Sequence, residues 1–149
     1  MYFSSMVKQE LARILPQNIS EQKGELLAFI KMKGLVYQGE QELSLLLENP
    51  VMIKVVYFLF KKVFHIEIAT NTVKKRNKKK QYLVRILNHE KTKYILRQFD
   101  LKADCHGRLL DKYPENSAVK IFSDHFFSRA FLRGAFLSGG FVNDPERMY

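Results

Sequence analysis

Arg129-Ala-Phe-Leu-Arg-Gly-Ala-Phe-Leu-Ser-Gly-Gly-Phe-Val-Asn-Asp-Pro-Glu146 is an apolar segment crowded with small residues that closes on Gly139-Gly140 and then a turn. Glycine inside a helix costs roughly 1 kcal/mol relative to alanine, so a helix that carries Gly134 needs compensation. A second backbone lying very close would supply it. Gly134 and Ser138 stand four apart, as do Ala135 and Gly139, which leaves one side of the helix nearly bare. An Ala/Gly-rich core helix of some other fold has the same local pattern, so the partner must be found elsewhere in the chain.

Sliding the chain against itself by 106 residues sets Glu25-Leu-Leu-Ala-Phe-Ile-Lys-Met-Lys-Gly-Leu-Val36 over Phe131-Leu-Arg-Gly-Ala-Phe-Leu-Ser-Gly-Gly-Phe-Val142. Leu26 then matches Leu132, Gly34 matches Gly140 and Val36 matches Val142. Both segments are apolar helices that stop at a glycine before a strand-like start, and the first carries Gly24 and Ala28 as its small residues. Two such helices can pack side by side about a pseudo-two-fold axis.

The second segment resembles the LAGLIDADG motif, and residues 129–146 as a whole are similar to the WhiA family, bacterial regulators of sporulation and cell division. The opening Phe3-Ser-Ser-Met-Val-Lys-Gln-Glu-Leu-Ala-Arg13 resembles the start of the same family, and Glu25 to Val36 sits where its first motif belongs. The resemblance implies an α+β, LAGLIDADG homing-endonuclease-like fold, with motif helices packed on antiparallel β-hairpins and the second repeat incomplete. On this basis residues 1–22 are an N-terminal helix and linker, 23–122 the first repeat and its connection, and 123–149 the start of a truncated second repeat. Gly24, Ala28, Gly34, Gly134, Ala135, Ser138 and Gly140 are the expected helix-packing positions. The family goes on to complete the second repeat and to add a C-terminal helix-turn-helix domain, so this sequence is expected to be a fragment or a truncated product.

Active homing endonucleases end each motif helix in an acidic residue that binds a catalytic divalent metal. The corresponding positions here are Lys33 and Gly139, one cationic and one without a side chain. The resemblance therefore implies a non-catalytic DNA-binding module, acting in transcriptional control of sporulation, cell division and chromosome segregation, with no cofactor, no metal and no small-molecule substrate. Asp144 and Glu146 lie beyond the helix end and have a sufficient role as turn residues. An active nuclease and a protein-interaction scaffold without DNA binding are the competing classes.

Charge distribution points the same way. Residues 51–100 hold 13 of the 25 Lys and Arg but only 3 of the 15 Asp and Glu, so they carry the whole net charge of +10. Its focus is Lys74-Lys-Arg-Asn-Lys-Lys-Lys80, between Ile66-Glu-Ile-Ala-Thr-Asn-Thr-Val73 and Gln81-Tyr-Leu-Val-Arg-Ile-Leu87. Both flanks are β-branched or aromatic, and Ile66, Ile68, Thr70 and Thr72 alternate along one side, so the basic run reads as the distal part of a β-hairpin turning near Asn77. Duplex DNA presents one negative charge per roughly 1.7 Å of axis, which suits such a tip for phosphate contacts. Lys74, Lys75, Arg76, Lys78, Lys79 and Lys80 are the candidate contacts, with Arg85 as a strand-face candidate. A solvated loop would share this composition, and basic charge alone does not choose between DNA and RNA.

At 149 residues and 46% hydrophobic content the chain can bury one core. Cys105 is the single cysteine, which excludes an internal disulfide and, with no signal peptide in view, favours a reducing cytoplasm, to which the DNA binding implied by the resemblance adds nucleoid association. The apolar run 51–64 is too short and too interrupted by lysine to cross a bilayer, so no membrane partner is expected. An incomplete second repeat would leave core exposed, and a second copy or a protein partner is the expected cover.

The remaining pattern predicts a first helix capped by Ser4 or Ser5 and running to about Leu15 before Pro16, with Val7, Leu11 and Ile14 on one face. Ser20 is the expected cap of the first motif helix, which runs to about Lys33. A hairpin follows over 34–39 and 42–48, then a helix from Asn49-Pro50 to about Phe64, a short helix over 91–99, and a second motif helix capped by Ser123 or Asp124. Cys105-His106 lacks the spaced partners of a zinc site, and His65, His89 and His125 are scattered. No phosphate-cradling glycine loop or nucleophile motif is present.

Overall fold

Two helices of 15 residues, α2 (Ile19–Lys33) and α5 (His125–Gly139), start 106 residues apart and stop 106 residues apart. They are the centre of a computed structural model that describes residues 2–37, 42–74, 80–116 and 124–140. Their caps are counterparts under the same shift. Asn18 Oδ1 accepts from the Glu21 N–H at 2.8 Å, and Asp124 Oδ1 accepts from the Phe126 N–H at 2.9 Å. Asn18, and not the expected Ser20, therefore caps α2. Ser20 lies one residue inside the helix, where its hydroxyl donates to Asp124, so the first turn of α2 holds the cap of α5. That hydrogen bond is the main cause that lowers the Asp124 carboxyl pKa, with help from the backbone N–H groups it caps.

The seam between the two helices is made where side chains are missing. A Cβ on Gly24 would lie 2.5 Å from the Phe127 carbonyl oxygen; one on Gly134 would lie 2.6 Å from the Glu25 carbonyl oxygen and 2.9 Å from the Ala28 Cβ. Ala28 and Gly134 are counterparts, and they meet each other, as residues beside a two-fold axis must. Ser138, buried in the same stretch, donates its hydroxyl back to the Gly134 carbonyl at 2.8 Å and to the Ala135 carbonyl at 3.2 Å. Gly34 and Gly140 instead stop the helices, each sending its N–H to the carbonyl four residues back. A Cβ on Gly34 would meet the Ile30 carbonyl and Leu109, and one on Gly140 would meet its own Phe136.

A four-stranded antiparallel sheet, in the order β1-β2-β4-β3, packs against α2. Its first hairpin is β1 (Gly34–Tyr37) with β2 (Glu42–Leu47), and its second is β3 (Ala69–Lys74) with β4 (Lys80–Ile86). Between them runs α3 (Pro50–Phe64), capped by Asn49 through the Val51 N–H at 2.9 Å and opened by Pro50 at its first position. Leu43, Leu45, Leu47, Val84 and Ile86 face the helices and meet Leu26, Phe29 and Ile30 of α2 and Val55, Val56, Leu59 and Phe60 of α3 in one buried core. Val63 is half-buried beside them, and Lys54 and Lys61 point to solvent as expected. The expected turns at Gly39 and Asn77 lie outside the described residues.

Three boundaries differ from the sequence expectation. The first helix, α1 (Tyr2–Ala12), begins before Ser4 and Ser5 and ends three residues short of Leu15. Its last turn tightens through Arg13 N–H to Glu10 and Ile14 N–H to Leu11 bonds, and Ile14 points outward instead of continuing an apolar face. In the basic hairpin, Ile66 and Ile68 precede the strand: α3 ends at His65 in the left-handed conformation (φ 56°), and the Ile66 N–H returns to the Phe60 carbonyl. The helix expected over 91–99 is α4 (His89–Gln98), which begins earlier because Asn88 caps it through the Lys91 N–H at 3.0 Å.

The stretch after α4 holds a hairpin that the apolar pattern does not signal, β5 (Leu101–Ala103) with β6 (Leu109–Asp111). Asp104 builds its turn, accepting from the His106 N–H at 2.8 Å and the Arg108 N–H at 2.9 Å, and Gly107 sits at φ 82°. The turn docks on β1: the Val36 N–H donates to the Gly107 carbonyl at 2.8 Å, and a Cβ on Gly107 would lie 2.7 Å from the Val36 carbonyl oxygen. Lys31 of α2 fastens β6 by a two-point bond to Asp111, both at 2.8 Å.

The seam predicts a contrast between glycines. Gly134→Ala forces backbone apart and is expected to destabilise the fold by about 1–3 kcal/mol. Gly139→Ala meets only the end of the Met32 side chain, at 2.8 Å, and should cost far less or stabilise. Urea denaturation of the two variants beside the parent chain measures both.

Candidate nucleic-acid interface

Strand register sorts the sheet into two faces. Leu35, Ser44, Arg85 and Ala69 form one cross-strand row and Leu46, Leu83 and Asn71 the next, all pointing away from the helices. Arg85 is on this outer face, where the sequence expectation has it, but its guanidinium is already engaged. It donates to both carboxylate oxygens of Glu42, at 2.6 and 3.2 Å, and this pairing raises its pKa. The one arginine of these two outward rows is thus neutralised by its neighbour on β2.

The basic run of the sequence falls where the second hairpin leaves the sheet. The last registered pair of the β3–β4 ladder is Lys74 opposite Lys80, and Lys80 is exposed. Lys75, Arg76, Lys78 and Lys79 fall between these two and lie outside the described residues. The bland cause of an exposed basic ladder end is solvation; its position at one extremity of the sheet is what makes it available to an extended anion.

The C-terminal ends of the motif helices form a second region. Lys33 is half-buried there, next to the glycine stop, and makes no ion pair among the described residues. Gly139, its counterpart, is exposed and offers no ligand. A cation-binding carboxylate is therefore missing from both helix ends. Among the described residues no three His, Cys, Asp or Glu side chains cluster so as to hold a metal ion. Cys105 and His106 are exposed on the β5–β6 turn, and no described helix is long and apolar enough to cross a membrane. Lys8 of α1, absent from the sequence candidates, reaches this region with its ammonium 5.6 Å from the centre of the Phe136 ring.

Glu25 and Arg133 are the other pair that pattern alone did not single out. Glu25 sits on the seam side of α2 with its side chain almost fully buried, and Arg133 of α5 donates to Glu25 Oε2 through Nη2 at 3.3 Å and Nε at 3.4 Å. Burial pushes the Glu25 pKa up to about 7, against the opposing pull of the Arg133 charge and hydrogen bonds, with Glu21 adding a smaller push upward. The signal in the sequence was an acid set between Gly24 and Leu26, both on the buried side of the helix.

Residues 20–102 match the family model described as the WhiA N-terminal LAGLIDADG-like domain. Among curated relatives, the probable cell division protein WhiA of Lactobacillus johnsonii is 35% identical over 148 residues, covering 97% of this chain and 45% of the relative. The protein of the same name from Limosilactobacillus reuteri (strain DSM 20016) is 32% identical over 150 residues, covering 98% of this chain and 45% of the relative. The chain thus spans about half the length of the curated relatives it matches. The crystal structure of the N-terminal LAGLIDADG domain of DUF199/WhiA superposes with a TM-score of 0.70 at 23% identity, over 99% of this chain and 63% of that one, which shows the shared α+β fold.

The buried carboxyl predicts a pH dependence of known sign. Because the folded pKa of Glu25 lies above its unfolded value of 4.5, its contribution to stability is fully present below pH 4.5 and is lost as pH rises through about 7. Glu25→Gln removes that loss. Its melting temperature relative to the parent should rise between pH 5 and pH 8, and thermal melts of both proteins across this window report it.

Proposed function

Because this chain belongs to the WhiA family, through its N-terminal LAGLIDADG-like domain, we propose that it is the non-catalytic, double-stranded-DNA-binding part of a transcriptional regulator of cell division and sporulation. The observation that carries this is the basic ladder end. The β3–β4 hairpin leaves the core at a registered Lys74–Lys80 pair, and the five residues between them add Lys75, Arg76, Lys78 and Lys79. Such a hairpin neutralises backbone phosphates, releases their counterions, and orients the protein on a duplex without reading bases. Arg85, held by Glu42, helps to shape the outer face and is not a primary phosphate contact. DNA as the partner puts the protein at the nucleoid.

The absence of cleavage is proposed from the helix ends. Hydrolysis of a phosphodiester by the two-metal route requires anionic ligands at the point where both motif helices stop, and Lys33 and Gly139 supply none. Lys33 would moreover repel a divalent cation. Residues 123–149 are read as the start of a second repeat, whose α5 serves the seam.

Fluorescence anisotropy with a labelled duplex, repeated over a salt series, tests the binding. Lys78→Ala, Lys79→Ala and Lys80→Ala combined should weaken binding and reduce the slope of log K against log salt by roughly 0.9 for each phosphate contact removed. An unchanged slope rules out this hairpin as the contact, and salt-independent affinity rules out the phosphate mode altogether. Duplex RNA in the same titration should bind more weakly. Supercoiled plasmid incubated with the protein and magnesium should remain uncut.

A further inference from the structure

Six of the 13 lysines and arginines in residues 51–100 stand on helices and not on the basic hairpin: Lys54, Lys61 and Lys62 on α3, and Lys91, Lys93 and Arg97 on α4. All six are exposed, and none forms an ion pair among the described residues. α3 holds no acidic residue, and α4 holds only Glu90, in its first turn, where the helix amides favour an anion. We propose that this helical surface docks an acidic segment of a partner protein, with Tyr57 and Tyr94 as the aromatic anchors of the surface. Both tyrosines are exposed in spite of their size.

Lys54, Tyr57, Lys61 and Phe64 are three or four residues apart, so they form one stripe along α3. The Lys61 ammonium lies 5.9 Å from the centre of the Tyr57 ring, and that of Lys62 lies 5.8 Å from the centre of the Phe58 ring. Phe64 carries the stripe onto α4, meeting Tyr94 edge to face with ring centres 5.9 Å apart. The carbonyls that end α3 and α4 account for Lys61, Lys62 and Arg97. They do not account for Lys54 and Lys91, in the N-terminal halves of their helices, or for two large rings left in water. Exposed tyrosine set among unpaired cations is the composition of an anchor for an anionic partner. Carboxylates on a partner helix recur every two turns, about 10 Å, which is the spacing of Lys54 and Lys61. Nucleic acid bases fit less well, because Lys61 already covers a face of the Tyr57 ring. α3 packs on the inner face of the sheet, so the stripe and the sheet's outer face look in opposite directions. An acidic partner and a duplex would therefore occupy separate surfaces.

The probe is a fluorescently labelled helical peptide with glutamates at seven-residue spacing beside a leucine stripe, and its glutamine version is the control. Anisotropy with the full chain should show the acidic peptide bound and the neutral one bound about tenfold more weakly. Lys54→Gln, Lys61→Gln and Arg97→Gln combined should weaken the acidic peptide by about tenfold. Tyr57→Ser removes no charge and should weaken it by about fivefold. Lys78→Ala, Lys79→Ala and Lys80→Ala combined should leave its affinity within about twofold, since that charge lies elsewhere. Circular dichroism checks that each variant keeps the parent's helix content. Equal losses from the helix and hairpin variants mean diffuse attraction, and a helix variant that lowers duplex affinity as much as the hairpin variant does assigns the surface to nucleic acid. Either result overturns the proposal, as does an acidic peptide that fails to bind. The peptide titrations read the same whether or not the duplex binds, so their failure is distinct from that of the hairpin.

Discussion

The fold depends on two backbones approaching where neither has a side chain to keep them apart. Gly24 lies under the Phe127 carbonyl and Gly134 over Glu25 and Ala28, and this proximity fixes the relative position of α2 and α5. From α2 the first sheet follows without slack: the helix stops at Gly34, and β1 begins at the same residue. The sheet then takes its place against Leu26, Phe29 and Ile30, and α3 covers the remainder. A bulkier seam would displace the sheet and with it every residue proposed to meet DNA.

The approximate two-fold symmetry is obeyed by the frame and broken by the chemistry. Caps, lengths and stops of the two helices coincide under one shift, yet Leu26 is fully buried while its counterpart Leu132 is largely exposed, because α2 has a sheet beneath it. The Glu25–Arg133 pair is likewise one-sided, since the counterparts of these residues are Phe131 and Leu27. A buried ion pair of this kind adds little net stability but penalises any register in which its partners separate. It selects one alignment of two otherwise smooth, small-residue faces.

Much of this was legible in the chain. The glycines spaced for close approach, the shift of 106 residues, the Asn49-Pro50 helix start and the antiparallel pairing of the two flanks of the basic run each have a local physical cause that survives in the fold. What escaped was set by long-range contacts. Asn18 displaced Ser20 as a cap because Ser20 was needed by Asp124, more than a hundred residues away. The β5–β6 hairpin has strands of three residues, too short for alternation to show, and it forms because Asp104 organises the turn and Gly107 can lie against Val36. Lys8 and Arg85 look alike as surface cations in sequence, and only packing separates a half-buried lysine lying over the Phe136 ring from an arginine held at two points by Glu42.

The docking of that small turn on β1 has a bearing on self-association. An open sheet has two margins at which unpaired amide groups invite another chain to add a strand. One margin is blunted by the Gly107–Arg108 bridge to Leu35 and Val36. The other, β3, runs out into the lysine-rich stretch, whose mutual repulsion discourages a like strand from aligning beside it. The charges proposed to meet nucleic acid thereby also discourage its own copies from stacking into fibres, so concentrated salt or lysine neutralisation removes the safeguard at that margin while leaving the bridged one intact.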